Sequence, residues 1–171
     1  PSLAARSMKL EFHGRAAHAA GSPHEGINAL DAGLLTFNEI KALRQQVRSD
    51  VRIHGVITHR GEAPNVIPAY TAARVRCRAR DAKYLDDLYR RVLACAQGAA
   101  TATGCRLEWT EDVFPYHNTV ASQAIGDLFE RNLVALGWDI DAPDPVSGGG
   151  STDFGNVTRV DEYQTEVAEE N

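Results

Sequence analysis

No stretch of this chain approaches the roughly 20 consecutive apolar residues that a membrane-spanning helix needs, and no basic segment followed by an apolar one marks a leader. A protein without contact to membrane is expected. Cysteine is scarce: Cys77, Cys95 and Cys105 are odd in number and form no C-x-x-C pair. That excludes a disulfide framework and favours reduced thiols in the cytoplasm, with Cys95 serving packing. A basic excess is also lacking. Asp161, Glu162, Glu166, Glu169 and Glu170 hold five negative charges with no base among residues 161 to 171, so the formal net charge of -5 leaves the remainder neutral. Nucleic acid needs a cationic footprint and is excluded as a partner, while 161–171 reads as a solvated acidic tail. Finally, no His-x-Asp occurs. His13, His18 and His24 are spaced by five and six, share no helix face, and are assigned no metal.

What is present is an ordinary globular composition: 171 residues, 43% hydrophobic and 24% charged. This is enough for one full domain and part of another. Met8, Leu10 and Phe12 alternate with Lys9, Glu11 and His13 as a strand with one apolar face. From Asn28, a possible N-cap, to about Val47, the residues Leu30, Leu34, Phe37, Ile40, Leu43 and Val47 recur at helical spacing. A second strand, Val51 to Thr58, and a third, Tyr70 to Arg80, are separated by the irregular HRGEAPNVIP. Asp81 caps a second helix carrying Leu85, Leu88, Val92 and Ala96, ending near Gly104. In the fourth strand Cys105, Leu107 and Trp109 are expected inside and Arg106 and Glu108 outside.

The order is β-α-β-β-α-β, an α+β split sandwich with four antiparallel strands and two helices on one face. It occupies residues 7–114. A third helix is expected from Ser122 to Leu136, with Ile125, Phe129, Leu133 and Leu136 on one side. It and the glycine-rich APDPVSGGGSTDFGNVTRV have no place in a completed unit, so 115–160 is read as a fragment of a neighbouring domain.

Three features suggest chemistry. His18 follows the first strand in FHGRAAHAAGSPHEGINALDA, where small neighbours leave its ring reachable; an imidazole so placed can shuttle a proton or donate to an oxyanion. Asn65 lies in APNVIP after the second strand. Gly148, Gly149 and Gly150, followed by Ser151, permit close backbone approach to a ligand. Arg74, Arg76 and Arg78 share the outer face of the third strand, where pairing with Glu11 and Glu108 is one outcome.

Together, GRAAHAA, GINALDA, RIHGVIT, APNVIP and SGGGSTDFGNV resemble the zinc-dependent amidohydrolases and peptidases of metallopeptidase family twenty. That family includes aminoacylases, carboxypeptidases acting on N-acyl amino acids, and aminobenzoyl-glutamate hydrolases. The likeness covers about residues 8 to 158. It implies a lid that pairs with a second copy through the edge strand Val51 to Thr58. It also implies a small N-acyl amino acid or dipeptide substrate, and two zinc or other divalent ions in the parent enzyme. The resemblance further implies that His18 steadies the oxyanion in the partner subunit and Asn65 contacts the substrate amide. Gly149, Gly150 and Ser151 would approach the substrate carboxylate, with Arg78 at the position of a lid arginine. The family's metal-binding residues have no counterpart here, so the chain alone is expected to be inactive. The alternative is a non-catalytic α+β interaction module that pairs through its sheet edge.

Overall fold

The computed structural model describes residues 2–140 and 150–158. Along the chain run β1 (Ala4–His13), α1 (Ala29–Leu43), β2 (Arg52–His59), β3 (Tyr70–Ala79), α2 (Ala82–Thr103) and β4 (Arg106–Tyr116). The strands form one antiparallel sheet in the order β2-β3-β1-β4. This is the expected α+β sandwich, and β2 lies at an edge as expected, one residue later at each end than Val51 to Thr58. No helix among the described residues is long and apolar enough to cross a membrane.

Both helices cover one face of the sheet. The period-two pattern of β1 turns Met8, Leu10 and Phe12 toward them, all fully buried, with Val75 and Cys77 of β3 and Ile53 of β2 alongside. Burying each such large side chain is worth about 1.5–3 kcal/mol relative to leaving it exposed. The Cys77 thiol is pushed up to about 12 by burial, as befits a packing residue rather than a nucleophile. From α2, Leu85, Leu88, Val92 and Ala96 complete the layer. Asp81 caps this helix by accepting from the Tyr84 N–H at 2.6 Å, and Gly104 ends it at φ 75°. Asn28 caps α1 in the same way, accepting from the Leu30 and Asp31 N–H groups at 3.0 and 3.4 Å.

Two expectations about packing are corrected. On α1 the buried stripe is Ala29, Ala32, Gly33, Thr36 and Ile40, while Leu34 is 47% exposed. The helix approaches β3 so closely that a Cβ on Gly33 would lie 2.9 Å from the Thr71 methyl. Small residues therefore occupy the contact line beside Ile40, Leu34 is displaced outward, and Phe37 and Leu43 reach the core from the side. Cys105, just before β4, is buried and Leu107 on the strand is half-buried, but Trp109 is 45% exposed. The strand is the second edge of the sheet, and the indole meets the Tyr89 ring of α2 edge-on, with centroids 6.3 Å apart.

After Tyr116 come α3 (Gln123–Ala135) and the single turn α4 (Phe154–Val157). Gly137, at φ 83°, closes the expected third helix. None of the residues of α3 is buried: Ile125 is 70% and Phe129 65% exposed. The acidic tail, 161–171, lies outside the described residues.

Candidate functional site

The β1–β3 ladder does not stop at His13 and Tyr70. It continues as an irregular ribbon built from the two loops singled out in the sequence. Gly14 N–H donates to the Ala69 carbonyl at 2.8 Å, Ile67 N–H to Ala17 at 3.0 Å, and Ala19 N–H to Asn65 at 3.0 Å. Arg15 and Ile27 exchange two bonds of 2.9 Å that fold the first loop back on itself. This fold-back requires glycine at its start, because a Cβ on Gly14 would lie 2.1 Å from the Ile27 carbonyl oxygen. At the tip, His18 and Val66 form an isolated antiparallel bridge. His18 and Asn65, 47 positions apart in sequence, are thus held side by side, and both are exposed.

The His18 ring is oriented by its own turn. Its Nδ1 accepts from the Gly21 N–H at 3.0 Å and the Ala20 N–H at 3.2 Å. An imidazole that accepts at Nδ1 carries its proton on Nε2. The tip therefore presents a donor, fixed in tautomer and direction, toward solvent. Below it, His13 and His59 flank the Tyr70 ring with centroids 5.3 and 5.1 Å away. The Tyr70 hydroxyl donates to Glu11 at 2.5 Å. That bond, then the Lys9 ammonium at 2.9 Å, holds the Glu11 carboxyl below its ordinary range, and the same carboxylate raises the Tyr70 phenol. This cluster was not legible in the sequence, since only the register places Tyr70 opposite His13.

The other candidates sit elsewhere. Arg78 lies near the far end of β3, opposite Ala5 and Arg52. Eight residues of strand separate it from Tyr70, roughly 27 Å at 3.4 Å per residue. Gly150 is at that same far end: its carbonyl accepts from Leu3 N–H at 2.8 Å, just before β1 begins. Ser151 follows, half-buried, its hydroxyl without a partner among the described residues. Asn156 straps the segment to the end of β4, accepting from His117 N–H at 2.8 Å and donating to the Pro115 carbonyl at 3.1 Å. Gly149, like Gly148, lies outside the described residues. The candidate residues therefore fall into two groups at opposite ends of the sheet, His18 with Asn65 and Arg78 with Gly150 and Ser151.

The pairing of the three arginines with Glu11 and Glu108 is not observed. Glu11 is taken by Tyr70 and Lys9, and Glu108 by Arg106 and, at 3.3 Å, His13. Arg74 instead pairs with Asp112 at 3.4 Å. The register explains this, because Arg74 stands opposite Lys9 rather than Glu11. No group of three or more His, Cys, Asp or Glu among the described residues could hold a metal ion.

The sequence pattern of the peptidase dimerisation domain, M20_dimer, matches residues 4–102. The Xaa-Arg dipeptidase of Mus musculus is 36% identical over 162 residues, which is 94% of this chain and 38% of that protein. A p-aminobenzoyl-glutamate hydrolase polypeptide of Escherichia coli (strain K12) is 36% identical over 107 residues, 62% of this chain and 22% of that protein. Among solved structures, an aminobenzoyl-glutamate utilization protein from Klebsiella pneumoniae superposes with a TM-score of 0.73 at 22% identity, over 94% of this chain and 41% of its own. A hydantoinase/carbamoylase family amidase from Burkholderia vietnamiensis does so with a TM-score of 0.78 at 19% identity, over 93% and 38%. These two likenesses are of fold. The chain spans 38% and 37% of the length of the dipeptidases of Mus musculus and Homo sapiens.

Proposed function

Because the chain belongs to the peptidase family that shares the M20 dimerisation domain, we propose that it is the lid and dimerisation segment of a cytoplasmic amidohydrolase. The enzyme would cleave the amide of an N-acyl amino acid or dipeptide-like substrate. The names of the relatives, a dipeptidase and an aminobenzoyl-glutamate hydrolase, support that substrate class.

One observation supports the reading: the two groups of candidate residues, which we read as half-sites, occupy opposite ends of one sheet. The edge strand β2 runs from beside Arg78 at Arg52 toward the His18 tip at His59. Two such edges pairing antiparallel about a two-fold axis set the tip of one copy beside the far end of its partner. His18 and Asn65 would then serve the partner's site, where Arg78 and the loop at Gly149, Gly150 and Ser151 receive the substrate carboxylate. The Nε2–H of His18 would donate to the oxygen that gains charge as the amide is attacked, and Asn65 would hold the amide itself. A donor fixed before the reaction stabilises that charge without reorganising at the moment of reaction. α3 lies in the 115–160 fragment of a catalytic domain, and its exposed side is the surface that the rest of that domain would cover.

Two zinc or other divalent ions belong to this reading of the whole protein. The described residues do not fit such a centre. The 171-residue chain, supplied with zinc, manganese or cobalt, is accordingly expected to leave N-acyl amino acids and dipeptides intact and to sediment as a dimer. Metal-stimulated turnover by this chain, or a monomer at high concentration, contradicts the proposal.

A further inference from the structure

The face of the sheet opposite the helices carries a feature that neither half-site uses. Arg76 stands in register between Ser7 on β1 and His54 on β2. Arg74 precedes it and Arg78 follows it on the same face, and Arg52 lies beside Arg78. A groove of about 370 Å³ opens here, lined by Ser7, His54, Val56, Arg74, Arg76 and Val113, with Asp112 at its side. Arg78 lies outside that lining.

Charge in the groove is unbalanced. Its one carboxylate, Asp112, is engaged by Arg74 at 3.4 Å. The Nε of Arg76 is buried and has no hydrogen-bond acceptor among the described residues. The guanidinium carbon lies over the Tyr116 ring, 5.4 Å from its centroid, a contact that supplies no acceptor in the plane of the N–H groups. A buried N–H on a half-exposed cation that lacks an acceptor is costly, and an anion supplying that acceptor would be held by it. The walls decide which anion. Val56 is 58% exposed and Val113 also faces solvent, so the groove offers apolar surface beside its cation, which a bare inorganic ion cannot use.

We propose that this groove binds a small organic carboxylate, its oxygens on Arg76 between Arg74 and His54 and its apolar body against Val56 and Val113. His54 already registers the local field. Although much of its ring is exposed, the burial it has, followed by the charges of Arg78, Arg76 and Arg44, holds its pKa below that of an ordinary histidine. A bound carboxylate would offset those charges and move the titration of His54 upward.

The test follows the His54 ring by NMR in the 171-residue chain near pH 7 at constant ionic strength, with benzoate and inorganic phosphate as probes. Benzoate is expected to give a saturable shift, to bind at least about fivefold tighter than phosphate, and to raise the pH at which His54 titrates. Arg76→Gln and Arg74→Gln should each weaken benzoate about fivefold or more, while Arg90→Gln, on the exposed side of α2, should not. A shift that does not saturate, phosphate binding as tightly as benzoate, or undiminished binding in both groove variants overturns the proposal. The comparison of the two anions on the unaltered chain remains decisive should a variant fail to fold.

Discussion

Replacing His18 with alanine in the whole protein separates the catalytic reading from a structural one, because the structure bounds both effects. The residue is exposed and is not among the residues of the buried core, so its removal leaves no buried cavity. What folding loses is the acceptor for two amide N–H groups, at 3.0 and 3.2 Å. Net hydrogen bonds are worth about 0.5–1.5 kcal/mol each. At this site water replaces the acceptor, and the loss should fall on the tip rather than on the sheet. Thermal unfolding should therefore shift by no more than a few degrees. Catalysis should lose far more. Removing one preorganised donor to an oxyanion costs about 2.7–4 kcal/mol, a fall in kcat of about 100- to 1000-fold. Because the oxyanion exists only on the way to the transition state, KM should change by less than about threefold. Steady-state kinetics on a dipeptide or N-acyl amino acid, with a melting curve on the same sample, gives both numbers. A kcat within about threefold of the unaltered enzyme, or a loss carried wholly by KM, refutes the role.

The edge strand offers a second perturbation. Val56→Lys puts a cation near the middle of β2, where its symmetry mate would bring a second, and should weaken dimerisation at least about tenfold by sedimentation. In the core, Phe12→Ala should cost about 3–5 kcal/mol and lower the melting temperature by about 10 °C or more. The Glu11 carboxyl is held low when folded, so its contribution is present above the unfolded pKa and lost as pH falls through the folded one. Tyr70→Phe removes the larger cause, returns Glu11 toward its ordinary range, and should move the acid limb of the stability curve to higher pH; an unchanged limb would show that Lys9 alone suffices.

The fold was legible because local signals agreed. Asn28 and Asp81 cap the helices that their positions announce, and the alternation of Met8, Leu10 and Phe12 faces the core. Periodicity misjudged α1 for a physical reason: the pattern weighs side-chain size, whereas close approach to β3 selects Gly33 and Ala32. Trp109 was misplaced because strand alternation assigns a face and cannot say how far a helix extends over it. His18 and Asn65 stood out through their loops, yet nothing in a linear chain revealed that a ladder extension brings them together. The separation of Arg78 from them needed the register, although the family resemblance already implied that His18 serves the partner subunit. The Arg76 groove left no sequence signal beyond three alternating arginines, and pairing with Glu11 and Glu108 was equally consistent with those.

If each site draws its tip residues from one subunit and its arginine from the other, mixed dimers of the whole enzyme reveal it. Co-expressed His18→Ala and Arg78→Gln subunits should each be inactive as homodimers, while the heterodimer has one site with both residues intact. Random assembly then restores about a quarter of the unaltered activity. Mixed dimers no more active than the separate variants would place His18 and Arg78 in the same subunit's site and contradict the account.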